Sequence, residues 1–158
     1  MRMLRDWGQD RKYHHLLKGY NYRMDGFQGA ILRVKLHHLE AWTEARRAHA
    51  LRYDEMLCSA GVQTPTTLLA RRHVYHIYAV RAVQRDTIQQ TLQHHGIQTG
   101  IHYPVPVHLQ PAYADLGYRA GEFPCSENAA GQVLSLPMFP ELTLEQQNLV
   151  VKAIADAL

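Results

Sequence analysis

The stretch GYNYRMDGFQGAIL, residues 19–32, is a polar turn that runs directly into a helical pattern. Asp25 followed three residues later by Gln28 has the form of a capping box. In that motif the Asp side chain accepts a hydrogen bond from a first-turn N–H, and the Gln side chain reaches back to the N-cap backbone. We therefore predict that a helix begins immediately after Asp25.

Apolar residues recur near helical spacing beyond that turn, and charged residues fill the other side of the pattern. Neither Gly nor Pro interrupts between Ala30 and Gly61. We predict one helix over about residues 26–57, which would be roughly 45 Å long at about 1.5 Å per residue. One small domain does not need so long a helix, so we expect it to pack against something outside its own core.

The rest of the chain alternates between extended and helical patterns. We predict, in chain order, a strand over 73–83, a helix from Asp86 to Gly96, a strand over 97–104, a loop with a short helix over 107–123, a helix over 125–133, a strand over 134–140 and a terminal helix after Thr143. The fold class that follows is α/β or α+β, with a long helix followed by a small sheet that helices cover.

Composition is that of an ordinary globular chain. The 158 residues are one domain's length, and 46% hydrophobic with 20% charged residues argues against a disordered or fibrous protein. Two cysteines, Cys58 and Cys125, do not make a disulfide framework. The start lacks the apolar region of a signal peptide, and no run of about 18 apolar residues occurs. We expect a cytoplasmic protein with no membrane partner.

Charge is unevenly distributed along the chain. Residues 1–52 hold 11 Lys and Arg against 5 Asp and Glu, and the remainder holds 6 against 9, which gives +6 and −3 and sums to the overall +3. The basic third contains the opening turn. A solvated basic face, an anionic small ligand and a nucleic acid are the three explanations.

The turn itself has the chemistry of a phosphate site. A helix N-terminus presents unpaired N–H groups and the positive end of the helix dipole, and Asn21 and Arg23 lie just before it. Arg adds a charged donor fork and Asn an amide donor. The plainer alternative is that Asn21 suits a turn through its backbone preferences and that Arg23 is a surface residue.

Metal binding is the hypothesis that eleven histidines invite. The adjacent pairs at 14–15, 37–38 and 94–95 point in divergent directions on a helix or a strand, so they chelate poorly. No H-E-x-x-H and no Cys/His set at zinc spacing occurs, and we expect no metal site.

In IHYPVPVHLQP, residues 101–111, prolines stiffen a loop that offers donors from Tyr103 and His108. That loop is either functional or a rigid surface connection.

Four segments, in the same order, resemble the C-terminal part of the DegT/DnrJ/EryC1/StrS family of sugar aminotransferases. They are LRDWGQ at 4–9, GYNYRMDGFQGAIL at 19–32, HGIQTGIHYPVPVHLQPAY at 95–113 and LSLPMFPELT at 134–143. The resemblance covers nearly the whole chain. It implies the fold-type I architecture with pyridoxal phosphate as cofactor, divided here into an incoming segment with the N-x-R turn (1–24), a long interface helix (25–60) and a small α/β domain (61–158).

The resemblance also implies roles for particular residues. Asn21 matches the residue that hydrogen-bonds the cofactor phosphate in the neighbouring subunit of a homodimer. Arg23 matches a residue near the nucleotide-sugar or cofactor site, and Tyr103 and His108 match a loop that lines the substrate cleft. The implied reaction moves an amino group from glutamate to a keto-sugar nucleotide, with the wording of residues 23–47 most like members that act on 3-keto sugars. The product would be a deoxy-amino sugar for a surface polysaccharide or a natural product.

One departure from the family pattern is large. The family's Schiff-base lysine and its pyridinium-pairing aspartate precede the segment that matches Leu4–Gly8, where this sequence begins. The resemblance therefore implies a C-terminal fragment, a split gene product or a mis-assigned start, with no catalytic residue of its own and no transamination alone.

Two other functions remain open at this point. One is a non-catalytic binding or regulatory module that pairs with a full-length homologue. The other is nucleic-acid binding, suggested by the basic third and a sequence pI near 9.0. Against the latter, Glu40 and Glu44 interleave with the basic residues, and the aromatics form no RNA-binding platform, so we expect no nucleic-acid partner.

Overall fold

The capping box at Asp25 forms as predicted in the computed structural model, which describes all 158 residues. Phe27 N donates to the Asp25 carboxylate at 2.8 Å, and Asp25 N donates to the Gln28 side chain at 3.1 Å. The chain divides into two compact units, Met1–Glu40 and Ala41–Leu158. None of the helices combines the length and the apolar character that crossing a bilayer requires.

The first unit contains two short helices and a small hairpin. Its elements are α1 (Arg2–Arg5), β1 (Gln9–Arg11), β2 (His14–His15) and α2 (Gly26–Leu36), with β1 and β2 antiparallel. The segment after β2 returns along α1, and Asp6 and Asn21 form an isolated antiparallel bridge. Two glycines allow this approach: a Cβ on Gly8 would lie 1.7 Å from the Leu17 carbonyl oxygen, and one on Gly19 would lie 2.1 Å from Gly8 N. Gly8 also has a φ of +74°, which disfavours any side chain there.

The second unit is built on a two-stranded antiparallel sheet with helices against it. Its elements are α3 (Leu39–Leu57), β3 (Tyr78–Arg81), α4 (Arg85–His94), α5 (Pro124–Gln132), β4 (Val133–Leu136) and α6 (Leu144–Ala155). The first two residues of α3 belong to the first unit. β3 pairs with β4 in the register Tyr78 to Leu136 through Arg81 to Val133. The core lies between this sheet and the helices, and its fully buried members include Tyr53, Leu57, Tyr78, Val80, Ile88, Leu92, Leu134 and Ile154. The predicted fold class is confirmed.

The single helix predicted over 26–57 is wrong in one respect: it is two helices. The hydrogen bonds tighten at the junction, where His37 N donates to Val34 O and His38 N to Lys35 O, each three residues back. Such bonds belong to a 3₁₀ turn and interrupt the α-helical ladder. No Gly or Pro marks the junction, so the residue types carried no signal for it.

The predicted strands are shorter than expected or missing. The strand over 73–83 is confined to β3 because Tyr75 has a left-handed φ of 47° and its N–H bonds the His73 ring at 2.9 Å. The strand over 97–104 does not form. Gly100 alone pairs with Ser135, through bonds of 3.1 and 2.7 Å, and the prolines that follow have no N–H to extend the ladder. The helices predicted near Asp86, at 125–133 and after Thr143 are confirmed as α4, α5 and α6.

Candidate functional site

The turn that carries Asn21 and Arg23 is held by backbone hydrogen bonds to the segment that starts the chain. Tyr20 N donates to Leu4 O at 2.7 Å, and Tyr22 N donates to Arg5 O at 2.8 Å. Because the turn is extended, alternate side chains share a face. Tyr20 and Tyr22 stack on one another with ring centroids 5.1 Å apart. Asn21 and Arg23 are the other alternating pair.

Asn21 and Arg23 contact each other directly. Arg23 Nε donates to Asn21 Oδ1 at 3.1 Å, and both residues are exposed. This bond satisfies the acceptor end of the amide and leaves the Asn21 Nδ2 group, with two N–H donors, without a partner in the chain. The exposed groups at the turn are therefore donors. Such donors suit a phosphate, whose oxygens accept hydrogen bonds and carry negative charge.

Asp6, which follows α1, and Gln9, which begins β1, support this pair. Arg23 Nη1 lies 3.6 Å from Asp6 Oδ1, and Gln9 Nε2 donates to Asp6 Oδ2 at 2.7 Å. Asp6 Oδ1 is buried and makes no hydrogen bond, so the arginine is the positive group it faces. Sequence reasoning missed Asp6, because an isolated antiparallel bridge brings it beside Asn21 and no motif announces that pairing.

Tyr103 and His108 line one cavity in the second unit, of about 680 Å³. Its other walls are mostly aromatic and aliphatic, and include His102, Tyr113, Leu116, Tyr118, Phe123 and Val133. Tyr103 is 74% exposed and contacts His102 edge to face, with 5.6 Å between ring centroids. The side chain of His108 is only 10% exposed, and its ring packs 4.6 Å from that of Phe123. Tyr103 is therefore accessible to a ligand, whereas His108 forms part of the cavity wall.

Glu127, in the first turn of α5, organises that wall. Its carboxylate accepts from the Gly121 N–H at 2.9 Å, from the Phe123 N–H at 3.2 Å and from His108 Nε2 at 3.1 Å. The Gly121 hydrogen bond contributes most to holding the pKa of Glu127 below its ordinary value, and the bonds from Phe123 and His108 add to it. Sequence reasoning missed Glu127, although a carboxylate after a Gly-containing loop and a helix-starting proline was the available signal.

The site residues predicted from sequence fall into two groups. Asn21 and Arg23 lie together in the first unit, and Tyr103 and His108 lie at one cavity in the second. The cofactor or substrate role of each stays a prediction. No group of three or more His, Cys, Asp or Glu side chains is arranged to hold a metal ion.

Solved aminotransferases share this fold. The Streptomyces venezuelae enzyme DesV superposes with a TM-score of 0.93 at 42% identity, over 98% of this chain and 42% of that one. The Bacillus subtilis protein NtdA, solved with the cofactor PMP bound, gives a TM-score of 0.84 at 26% identity, over 98% of this chain and 38% of that one. The fold is therefore that of an aminotransferase-type chain.

The chain belongs to the DegT/DnrJ/EryC1/StrS aminotransferase family, which is matched over residues 1–155. A "pleiotropic regulatory protein" of Geobacillus stearothermophilus is 49% identical over 158 residues, which are 98% of this chain and 42% of that protein. A dTDP-3-amino-3,4,6-trideoxy-alpha-D-glucose transaminase of Streptomyces venezuelae is 42% identical over 157 residues, 99% of this chain and 41% of that protein. The chain therefore spans about two fifths of the length of these relatives, and it matches the C-terminal portion of the family.

Proposed function

We propose that this chain serves as the C-terminal portion of a pyridoxal-phosphate-dependent aminotransferase that moves an amino group from glutamate to the keto group of a nucleotide-linked sugar. The observation that carries the proposal is the turn itself, where the Asn21 Nδ2 group has no partner in the chain and the Arg23 guanidinium is exposed, so that both offer hydrogen-bond donors to a ligand. Bound pyridoxal phosphate supplies the electron sink that amino transfer requires. Below, "assembled enzyme" means this chain together with the family's lysine-bearing portion.

In this proposal the chain's residues bind and orient. Asn21 donates its Nδ2 hydrogens to the cofactor phosphate, in a pocket completed by a neighbouring subunit. Arg23 adds positive charge to a site whose ligands are a phosphorylated pyridine and a sugar diphosphate. The proposal accounts for the basic excess of residues 1–52.

The aromatic cavity of the second unit is proposed to bind the sugar nucleotide. Its volume of about 680 Å³ lies within the range of small-molecule pockets. Tyr103 offers an exposed hydroxyl and ring at its mouth, and His108 shapes the wall. We propose a 3-keto-deoxysugar as the substrate class. The support is that transaminases of 3-amino sugars are among its relatives, at 42% and 38% identity.

A homodimer with a shared site is proposed from the surface of α2. No residue of this helix is buried within the chain. Apolar side chains are exposed along it, with Phe27 at 84%, Ile31 at 58% and Val34 at 62%. Contiguous apolar surface on this scale marks an interaction site. Both cysteines are free, in keeping with the cytoplasmic location that we propose for the enzyme.

A second candidate is a non-catalytic regulatory module that pairs with a full-length homologue. Two relatives favour it by name: the regulatory protein of Geobacillus stearothermophilus, and the "sensory transduction protein EryC1" of Saccharopolyspora erythraea, at 43% identity. The same exposed face of α2 would then bind the homologue.

The test compares the 158-residue chain alone with the assembled enzyme. With pyridoxal phosphate, we expect the chain alone to give none of the visible absorbance of a lysine-linked cofactor. We expect the assembled enzyme to give that absorbance and to aminate a nucleotide-linked keto-sugar with glutamate. Absorbance from the chain alone would overturn its role as a portion of the site. An assembled protein that never transaminates would favour the regulatory module.

A further inference from the structure

We propose that Arg23 is a positioning residue that orients the Asn21 amide toward the cofactor phosphate, and that Asp6 in turn fixes Arg23. This inference rests on the phosphate site proposed above. It assigns the two residues of the turn different tasks: Asn21 touches the ligand, and Arg23 acts through Asn21.

The amide of Asn21 has two ends that a phosphate distinguishes sharply. Nδ2 donates and is attracted to the phosphate oxygens, whereas Oδ1 only accepts and is repelled by them. The two ends exchange places when the side chain rotates by half a turn. The hydrogen bond from Arg23 Nε to Oδ1, at 3.1 Å, stabilises the orientation in which Oδ1 is satisfied and Nδ2 is free. Arg23 therefore selects the binding-competent end of the amide.

Arg23 is itself held by a chain of contacts from the neighbouring segment. Its Nη1 lies 3.6 Å from Asp6 Oδ1, and Asp6 Oδ2 accepts from Gln9 Nε2 at 2.7 Å. The backbone bridge between Asp6 and Asn21 keeps both ends of this chain in register. The order of contact is thus Gln9, Asp6, Arg23 and Asn21. Part of the arginine's charge faces a carboxylate rather than the site.

The geometry calls for an arginine rather than any cation. A guanidinium carries Nε–H and Nη–H donors in one rigid plane, so a single side chain can donate to Asn21 while it faces Asp6. A lysine has the same charge on one rotating ammonium group and holds no such fixed pair of directions. The exposed ion pair at 3.6 Å contributes little by itself, which leaves orientation as its main effect.

A double-mutant cycle in the assembled enzyme separates this role from direct binding. The variants are Asn21→Ala, Arg23→Lys and the double variant. Arg11→Lys is the matched control, because Arg11 is exposed and no hydrogen bond or ion pair joins its side chain to the turn. The measurement is the dissociation constant of pyridoxal phosphate by absorbance titration, with pyridoxal, which lacks the phosphate, as a second probe. Circular dichroism confirms that each variant is folded.

We expect Asn21→Ala to weaken pyridoxal phosphate binding by about tenfold or more. We expect Arg23→Lys to weaken it several-fold, and the double variant to match Asn21→Ala alone. Pyridoxal binding should be unaffected in every variant, and Arg11→Lys should leave pyridoxal phosphate binding unchanged. Multiplicative effects in the double variant would overturn the positioning role, since Arg23 would then act on the phosphate directly. An Arg23→Lys variant with wild-type affinity would overturn it too. No effect of Asn21→Ala would instead overturn the phosphate site itself and this inference with it.

If Arg23→Lys fails to fold, Asp6→Asn tests the same chain of contacts. This substitution keeps the shape of the side chain and removes the charge that Arg23 faces. We expect it to weaken pyridoxal phosphate binding when the native Asn21 is present and to have no effect when it is combined with Asn21→Ala. Equal effects in both backgrounds would contradict the inference.

Discussion

Glu127 Oε1 lies 3.1 Å from Nε2 of His108, and this contact joins the wall of the aromatic cavity to the first turn of α5. The same carboxylate accepts both backbone N–H groups of the loop before the helix, those of Gly121 and Phe123. One side chain therefore satisfies three donors that would otherwise be unpaired at a cavity edge. His108 is a structural part of the cavity wall, because its Nε2 is hydrogen-bonded to Glu127.

Replacing Glu127 by Gln should loosen this loop. A glutamine has one acceptor oxygen and no charge, so it cannot satisfy all three donors as strongly. We expect faster hydrogen exchange at the Gly121 and Phe123 amides, measured by NMR. Glu122→Gln is the control, because Glu122 is exposed in the same loop and its side chain makes no such contact. Equal exchange in the two variants would refute the role of Glu127.

The loop should also be sensitive to acid. The Gly121 N–H, followed by the Phe123 N–H and His108, lowers the pKa of Glu127 in the folded state from its ordinary 4.5. A carboxylate with a depressed folded pKa contributes stability that is fully present above the unfolded pKa and is lost as pH falls through the folded pKa. We expect the Gly121 and Phe123 amides to exchange faster as the pH is lowered from the ordinary pKa of 4.5 through the lower pKa of the folded state. In Glu127→Gln the dependence should be flatter, and an identical pH profile in both proteins would contradict the assignment.

Tyr103 should contribute to sugar-nucleotide binding if the cavity has the proposed role. In the assembled enzyme, Tyr103→Ala removes an exposed ring and hydroxyl from the cavity mouth. We expect up to about a tenfold rise in KM for the nucleotide-linked keto-sugar, with little change in cofactor affinity, since one aromatic contact contributes roughly 0.5–1.5 kcal/mol. Tyr13→Ala is the matched control, because Tyr13 is 80% exposed and does not line this cavity. An unchanged KM would remove Tyr103 from the site.

Gly19→Ala should disrupt the turn that carries Asn21. The added Cβ would lie 2.1 Å from Gly8 N and 2.6 Å from Trp7 C, both of them backbone atoms that cannot move aside cheaply. We expect a local loss of about 1–3 kcal/mol, seen as faster hydrogen exchange at the Tyr20 and Tyr22 amides. Gly26→Ala, where a Cβ meets nothing within 4 Å, should leave them unchanged. Protection retained in Gly19→Ala would show that the close approach is not required.

The cap of α6 should be measurable on its own. Gln146 N donates to the Thr143 hydroxyl at 3.2 Å, and Thr143 N donates to the Gln146 side chain at 2.9 Å. We expect Thr143→Ala to lower the free energy of unfolding by about 0.5–2 kcal/mol. Thr66→Ala, at an exposed threonine in a loop, is the control for the change of residue type. A difference near zero between the two variants would argue that the cap is dispensable.

Local sequence signals predicted the helix starts well. The capping box at Asp25 forms, a second one joins Thr143 and Gln146, and α4, α5 and α6 lie close to their predicted ranges. A capping box can be read locally because it joins residues three apart and needs no distant partner. The break at His37 and His38 had no such signal. It follows from a change in hydrogen-bond pattern between residues that are all compatible with a helix.

Extended segments were predicted less well, because a strand needs a partner. Residues 97–104 have a strand-like composition, yet only Gly100 among them pairs with β4. That Asn21 and Arg23 lie together could be read from the sequence, since they are two residues apart in one turn. The orientation of the amide could not.

The sequence by itself determined the family, the helix caps and the identity of the donors at the turn. The caps and the donors depend on residue types at short spacing, and the family depends on four matching segments in the same order. The tertiary structure alone decided that Asp6 lies beside Asn21 and faces Arg23, and that Glu127 reaches His108 across 19 residues. These contacts arise where the backbone folds back on itself, at Gly8 and Gly19 in one unit and around Gly121 in the other, and no short window of residues specifies which groups then meet.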